Sequence, residues 1–170
     1  MKTELCNFCL KSGILCPKCQ SKIKSGEVTD LDLKVARLLL SLEKTYPSLQ
    51  DVHFHKAVEA NDLLAVIVGR GDVARLLGHR GKIVRALRDE LGKKVRVLEH
   101  GVDYRKFLED LFAPLSILTI NTIWLPDGTT ETRVILKRWG RRRPPMKVEA
   151  LKELARKVRG ITLRVEFSRY

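Results

Sequence analysis

Apolar residues first recur at helical spacing at Leu31, Val35, Leu38, Leu39 and Leu42, behind Thr29 or Asp30 as an N-cap and ahead of Pro47. This spacing predicts a helix that stops before the proline. Two β-like runs follow at 52–58 and Leu63–Val68, joined near Asn61-Asp62, and read as a hairpin. Residues 72–77 fit a short helix, Gly78-His79-Arg80-Gly81 a turn, and Ile83, Val84, Leu87 and Leu91 one face of another helix closed by Gly92. Alternation over 94–98 predicts a strand. The order is helix, strand, strand, helix, helix, strand.

The remainder repeats this scheme imperfectly. Residues 102–112 fit a helix, 115–124 a strand, Pro126-Asp127-Gly128 a turn, and 131–137 a second strand. Pro144-Pro145 can start a helix carrying Val148, Leu151, Leu154, Ala155 and Val158, ended by Gly160. Ile161, Leu163, Val165 and Phe167 then alternate with Thr162, Arg164, Glu166 and Ser168 as a closing strand. A first middle helix and its glycine turn are reduced to residues 140–145. Residues 1–28 are rich in Cys and Lys and too short to own a core, so they need a cross-link of another kind. Three segments are expected: 1–28, 29–101 and 102–170.

At 170 residues and 44% hydrophobic content the chain can build real cores. No apolar run approaches the roughly 20 residues that span a bilayer, and the polar, cysteine-bearing start does not resemble a signal peptide. A cytoplasmic protein with no membrane partner is expected. The net charge of +13 implies an acidic partner, first of all nucleic acid, although a thermophile surface can look similar. Lys137-Arg138-Trp139-Gly140-Arg141-Arg142-Arg143 concentrates that charge with no acid to offset it. Arg138, Arg141, Arg142 and Arg143 suit phosphate through their bidentate forks. Trp139 offers either a stacking surface or a core anchor. With aromatics at 6%, base stacking on the scale of an RRM is not expected.

All four cysteines fall in Cys6-x2-Cys9-x6-Cys16-x2-Cys19. Each pair can form a tight knuckle aimed at one tetrahedral ion, the pattern of a structural Zn2+ site with no position left open for catalysis. Little secondary structure is expected around it. Disulfides, a redox CxxC pair and iron are the rivals. Lys11, Lys18, Lys22 and Lys24 either meet phosphate or are simply solvated. His53 and His55 share a strand face, but no third histidine or suitable carboxylate is evident in the sequence, which favours a structural or surface role.

Glycines at both ends of Gly78-His79-Arg80-Gly81 permit a sharp turn whose N–H groups can approach phosphates. His79 and Arg80 add charge. Lys82 and Arg85 follow on the next helix, whose N-terminus favours anions. With its flanking elements, this loop resembles a type II KH domain over residues 29–100. The resemblance implies a groove for about four nucleotides, clamped by Gly78, His79, Arg80 and Gly81, with Val73, Leu77 and Ile83 as apolar support. The third segment resembles a second such domain without its GxxG clamp. Two adjacent units of this kind, over residues 29–168, are similar to the RNA-binding core of the NusA family, especially its short archaeal members. That resemblance implies single-stranded RNA and RNA polymerase as partners, in transcription elongation or termination. The polymerase-binding and OB-type domains of bacterial members do not fit this length, and the cysteine cluster lies outside the basic NusA pattern.

Gly69-Arg70-Gly71-x-x-Ala74 nominally fits a dinucleotide fingerprint, the remote alternative of a nucleotide-cofactor enzyme. Gly78–Gly81 interrupts the helix that this fold would need, and Asp89 and Glu90 lie within the following helix. Lys82 is followed by Ile83, which breaks a Walker A pattern, and no catalytic constellation rises above chance. The chain is thus expected to be an α+β protein, a small zinc knuckle or ribbon followed by two type II KH-like units (α-β-β-α-α-β), the second degenerate. A non-catalytic RNA-binding role is expected. The alternative is a ribosome-associated or assembly factor that docks a ribosomal subunit through structured rRNA.

Overall fold

Cysteine spacing, more than hydrophobic periodicity, shapes the start of the computed structural model, which describes residues 1–138 and 147–169. Helix α1 (Asn7–Ser12) begins after Cys6 and closes at Gly13, whose φ of 78° is left-handed and whose N–H bonds the Cys9 carbonyl at 3.1 Å. Helix α2 (Pro17–Lys24) begins after Cys16, with Pro17 at the first helical position. The expectation of little secondary structure here is therefore corrected. Each C-x2-C pair straddles a helix start, one cysteine capping and the other lying in the first turn, so the knuckles and the helices are the same residues.

Thr29 opens α3 (Asp30–Glu43) with a reciprocal capping box: the Asp32 N–H donates to Thr29 Oγ1 at 3.2 Å, and the Thr29 N–H to Asp32 Oδ2 at 2.9 Å. A 3-10 turn at Pro47–Asp51 follows. Strand β1 (Phe54–Ala60) then starts two residues later than the sequence predicts. Its predecessor His53 bridges Lys2 instead, with the Lys2 N–H on the Val52 carbonyl at 2.9 Å and the Phe54 N–H on the Lys2 carbonyl at 2.8 Å. Asn61, at φ 56°, and Asp62 turn the chain into β2 (Leu63–Val68), a connection short enough to permit only antiparallel pairing.

Helices α4 (Val73–Leu77) and α5 (Lys82–Leu91) flank the glycine turn, and β3 (Lys94–Glu99) completes a sheet of order β1-β2-β3. Val35, Leu39, Leu64, Val66, Ile83 and Leu87 are buried in one hydrophobic cluster. Met1, Leu5, Cys9, Leu10, Cys19 and Val28 belong to the same cluster. The cysteine segment thus shares its core with α3, α5 and the first sheet.

The later elements are α6 (Tyr104–Phe112), β4 (Ile117–Trp124), β5 (Thr130–Leu136), α7 (Val148–Arg159) and β6 (Leu163–Phe167). Their sheet has the order β4-β5-β6, antiparallel and then parallel. Phe107, Leu108, Val134, Leu136, Leu151 and Leu154 are buried here, while Arg133–Glu166 at 2.6 Å and Arg164–Glu131 at 3.2 Å pair neighbouring strands. Gly160 ends α7 with a left-handed cap, as its position predicts. Among the described residues, no helix lies between β5 and α7. The chain divides into two compact units, Met1–Val58 with Leu64–Gly101, and Glu59–Leu63 with Val102–Tyr170. No helix among the described residues is long and apolar enough to cross a membrane.

Candidate functional site

The glycine turn between α4 and α5 owes its form to two differently constrained glycines. Gly78 has φ 68° and ψ −177°, a region nearly closed to side chains, and a Cβ there would sit 2.9 Å from Ile83 Cγ1. Gly81 has φ 71° but faces open space. Between them Arg80 is itself left-handed at φ 54°. The turn is held by the Gly81 N–H on the Gly78 carbonyl at 3.4 Å and by Arg85 Nη2 on the Arg80 carbonyl at 2.6 Å.

His79, Arg80, Lys82 and Arg85 are exposed, and among the described residues none of them pairs with a carboxylate. No side chain caps the start of α5, whose Lys82 N–H instead bonds the His79 carbonyl, so the positive end of the helix lies beside these cations with no carboxylate to neutralise it. Leu77 is exposed, Val73 half-buried and Ile83 fully buried. The first two therefore offer an apolar border, while Ile83 supports the turn from within.

The four cysteine sulfurs lie within 4.8 Å of one another. The Cys6–Cys19 separation is 3.7 Å, close to the ~3.8 Å edge expected of a tetrahedral site with Zn–S bonds of about 2.3 Å. Cys6 and Cys9 approach to 2.9 Å, and the Cys16 N–H donates to Cys9 Sγ at 3.2 Å. The hydrogen bond between the Cys6 and Cys9 sulfurs lowers the Cys6 thiol and pushes Cys9 up to about 12. The backbone N–H of Cys19, with its thiol, draws Cys16 down to about 7, while burial raises Cys19. Four sulfurs this close resist joint ionisation unless a cation stands among them. The donor set fits a thiophilic divalent ion.

A third cluster was not evident in the sequence. Glu4 Oε1 stands 3.6 Å from both His53 Nε2 and His55 Nδ1. The His53 and His55 rings stack at 4.0 Å between centroids, and His55 stacks on His100 at 4.2 Å. Burial lowers the His55 pKa, with the neighbouring His53 and His100 adding to the shift. The expectation that the pair lacks a third histidine or a carboxylate is thereby corrected, because the Lys2–His53 bridge lays the N-terminal segment along β1.

No family model matches the chain. The probable transcription termination protein NusA of Methanocaldococcus jannaschii is 30% identical over 80 residues, covering 47% of this chain and 42% of that protein. Its namesake from Methanococcus vannielii is 28% identical over 57 residues, 34% of this chain and 33% of that protein. The chain resembles archaeal NusA over part of its length. It spans less than half of each of these curated relatives. The crystal structure of APE1850 aligns over 76% of this chain and 96% of its own at 22% identity, with a TM-score of 0.49.

The predicted basic residues of the first unit, His79, Arg80, Lys82 and Arg85, come together around one turn. Arg138 is exposed beyond β5, its N–H on Ser168 Oγ at 3.3 Å. Trp139, Arg141, Arg142, Arg143 and the Pro144-Pro145 helix start lie outside the described residues. At the nominal dinucleotide fingerprint, a Cβ on Gly69 would lie 2.7 Å from Asp72 Oδ2. That buried carboxylate accepts the His53 N–H at 3.0 Å and pairs with Arg75 at 2.7 Å. Gly69 thus makes room for a structural carboxylate, and α4 is only five residues long.

Proposed function

We propose that this chain is a non-catalytic RNA-binding protein whose two units are type II KH-like and which holds single-stranded RNA at residues 78–81, in a role allied to transcription termination. The observation that carries this reading is the turn itself: a glycine-framed backbone beside an uncapped helix start, ringed by four basic side chains with no carboxylate partner among the described residues. Similarity to the archaeal NusA proteins supports it independently of that geometry. Phosphates would meet the turn at the positive end of α5, with His79, Arg80 and Lys82 supplying charge. Arg85, tied to the Arg80 carbonyl, would hold the loop open, and Leu77 would border the bases. Arg138, Arg141, Arg142 and Arg143 would supply further phosphate contacts from the second unit. Cys6, Cys9, Cys16 and Cys19 would hold one structural zinc, whose chemistry is to fix the knuckle and not to react.

The test is binding of the intact chain to single-stranded RNA, duplex RNA and duplex DNA across a salt series. Single-strand affinity is expected to dominate and to fall steeply with salt. The His79→Asp/Arg80→Asp variant should lose about tenfold or more while its circular dichroism is unchanged, because two attractive phosphate contacts become repulsive. Equal affinity in the folded variant would remove residues 78–81 from the binding surface.

A further inference from the structure

We propose that Glu4, His53 and His55 form a second metal site, which takes one divalent first-row transition ion and clips the segment ahead of the cysteines to β1. The three ligand atoms lie within 4.8 Å of one another. Glu4 Oε1 reaches both imidazole nitrogens at 3.6 Å, which is too long for the 2.7–3.2 Å of an N–H···O hydrogen bond. Metal bonds of about 2.0–2.2 Å, by contrast, hold neighbouring ligand atoms roughly 3.3 Å apart in a tetrahedron, and farther in wider geometries. The spacing suits an ion between the groups better than direct bonds among them, once the stacked His53 and His55 rings turn so that their in-plane lone pairs converge on it.

The placement is also built. His53 and His55 lie two residues apart and so project from the same face of the chain. Backbone hydrogen bonds on either side of His53 fix Lys2 against it, which brings Glu4 alongside. His100 backs the His55 ring at 4.2 Å. A set of two imidazoles and one carboxylate favours Zn2+, Co2+ or Ni2+ over Mg2+ or Ca2+, which prefer all-oxygen shells. Three protein ligands leave a coordination position for water, unlike the closed cysteine set.

The full chain, carrying one equivalent of zinc at its cysteines, is titrated with Zn2+ by calorimetry and with Co2+ by absorption. A second equivalent is expected, and its cobalt spectrum should lack the thiolate-to-metal charge transfer that marks the cysteine site. Glu4→Gln and His55→Gln should each weaken that equivalent about tenfold or more, since even lost outer-shell partners commonly cost 10–100-fold. Saturation at one equivalent, or a second equivalent equally tight in both variants, overturns the proposal. Should His55→Gln fail to fold, Glu4→Gln alone decides, because its side chain is partly exposed at 39%.

Discussion

Gly78 and Gly81 carry the same letter for different physical reasons. Alanine at Gly81 needs only a left-handed backbone in open space, a cost of about 1 kcal/mol. At Gly78 it must also displace the buried Ile83 side chain, which adds an overpacking term and brings the total to roughly 2–4 kcal/mol. Urea unfolding of the two variants should therefore rank Gly78→Ala clearly below Gly81→Ala. Equal midpoints would mean that Ile83 yields freely. The motif was legible as four letters, whereas this asymmetry was not, because it depends on where a side chain five residues downstream is packed.

Among the elements, α3 shows how much one polar residue can hold. Asp32 is buried, caps its own helix through the Thr29 N–H, and accepts the Ala57 N–H of β1 at 2.7 Å. Asp32→Ala strands the buried Ala57 N–H and removes the capping box at the exposed Thr29, so a loss of about 2–4 kcal/mol is expected in denaturant unfolding. A change under about 0.5 kcal/mol, the usual range of surface substitutions, would contradict it. Helix and strand identities were legible here because Leu31, Val35 and Leu39 repeat at helical spacing and Gly92 and Gly160 mark helix ends. The start of β1 was not, since Lys2 pairs with His53 across fifty residues. The Glu4–His53–His55 cluster was hidden for the same reason: no local period announces a carboxylate brought in from the N-terminal segment. The two cysteine helices were missed because six and eight residues are too few to show periodicity.

At the scale of the whole molecule, the cysteine segment is a wall of the first core and not an appendage. Cys9 and Cys19 are buried with Val35, Leu39 and Leu64. Chelation is accordingly expected to lower hydrogen-exchange protection in α3 and β2 as well as in residues 1–28, while α7 and β6 keep theirs. Losses confined to residues 1–28 would show that the shared packing contributes little to the unit. The shared core also orders events during synthesis. The cysteines leave the ribosome before the strands that cover them and could close around an ion as a local loop, whereas those strands, ending at Glu99, are complete only roughly eighty residues later. For that interval Leu5 and Leu10 lack their later-made neighbours, so a metal held by the cysteines would be captured before burial, and a nascent chain short of it would reach its first sheet with one side of the core still unformed.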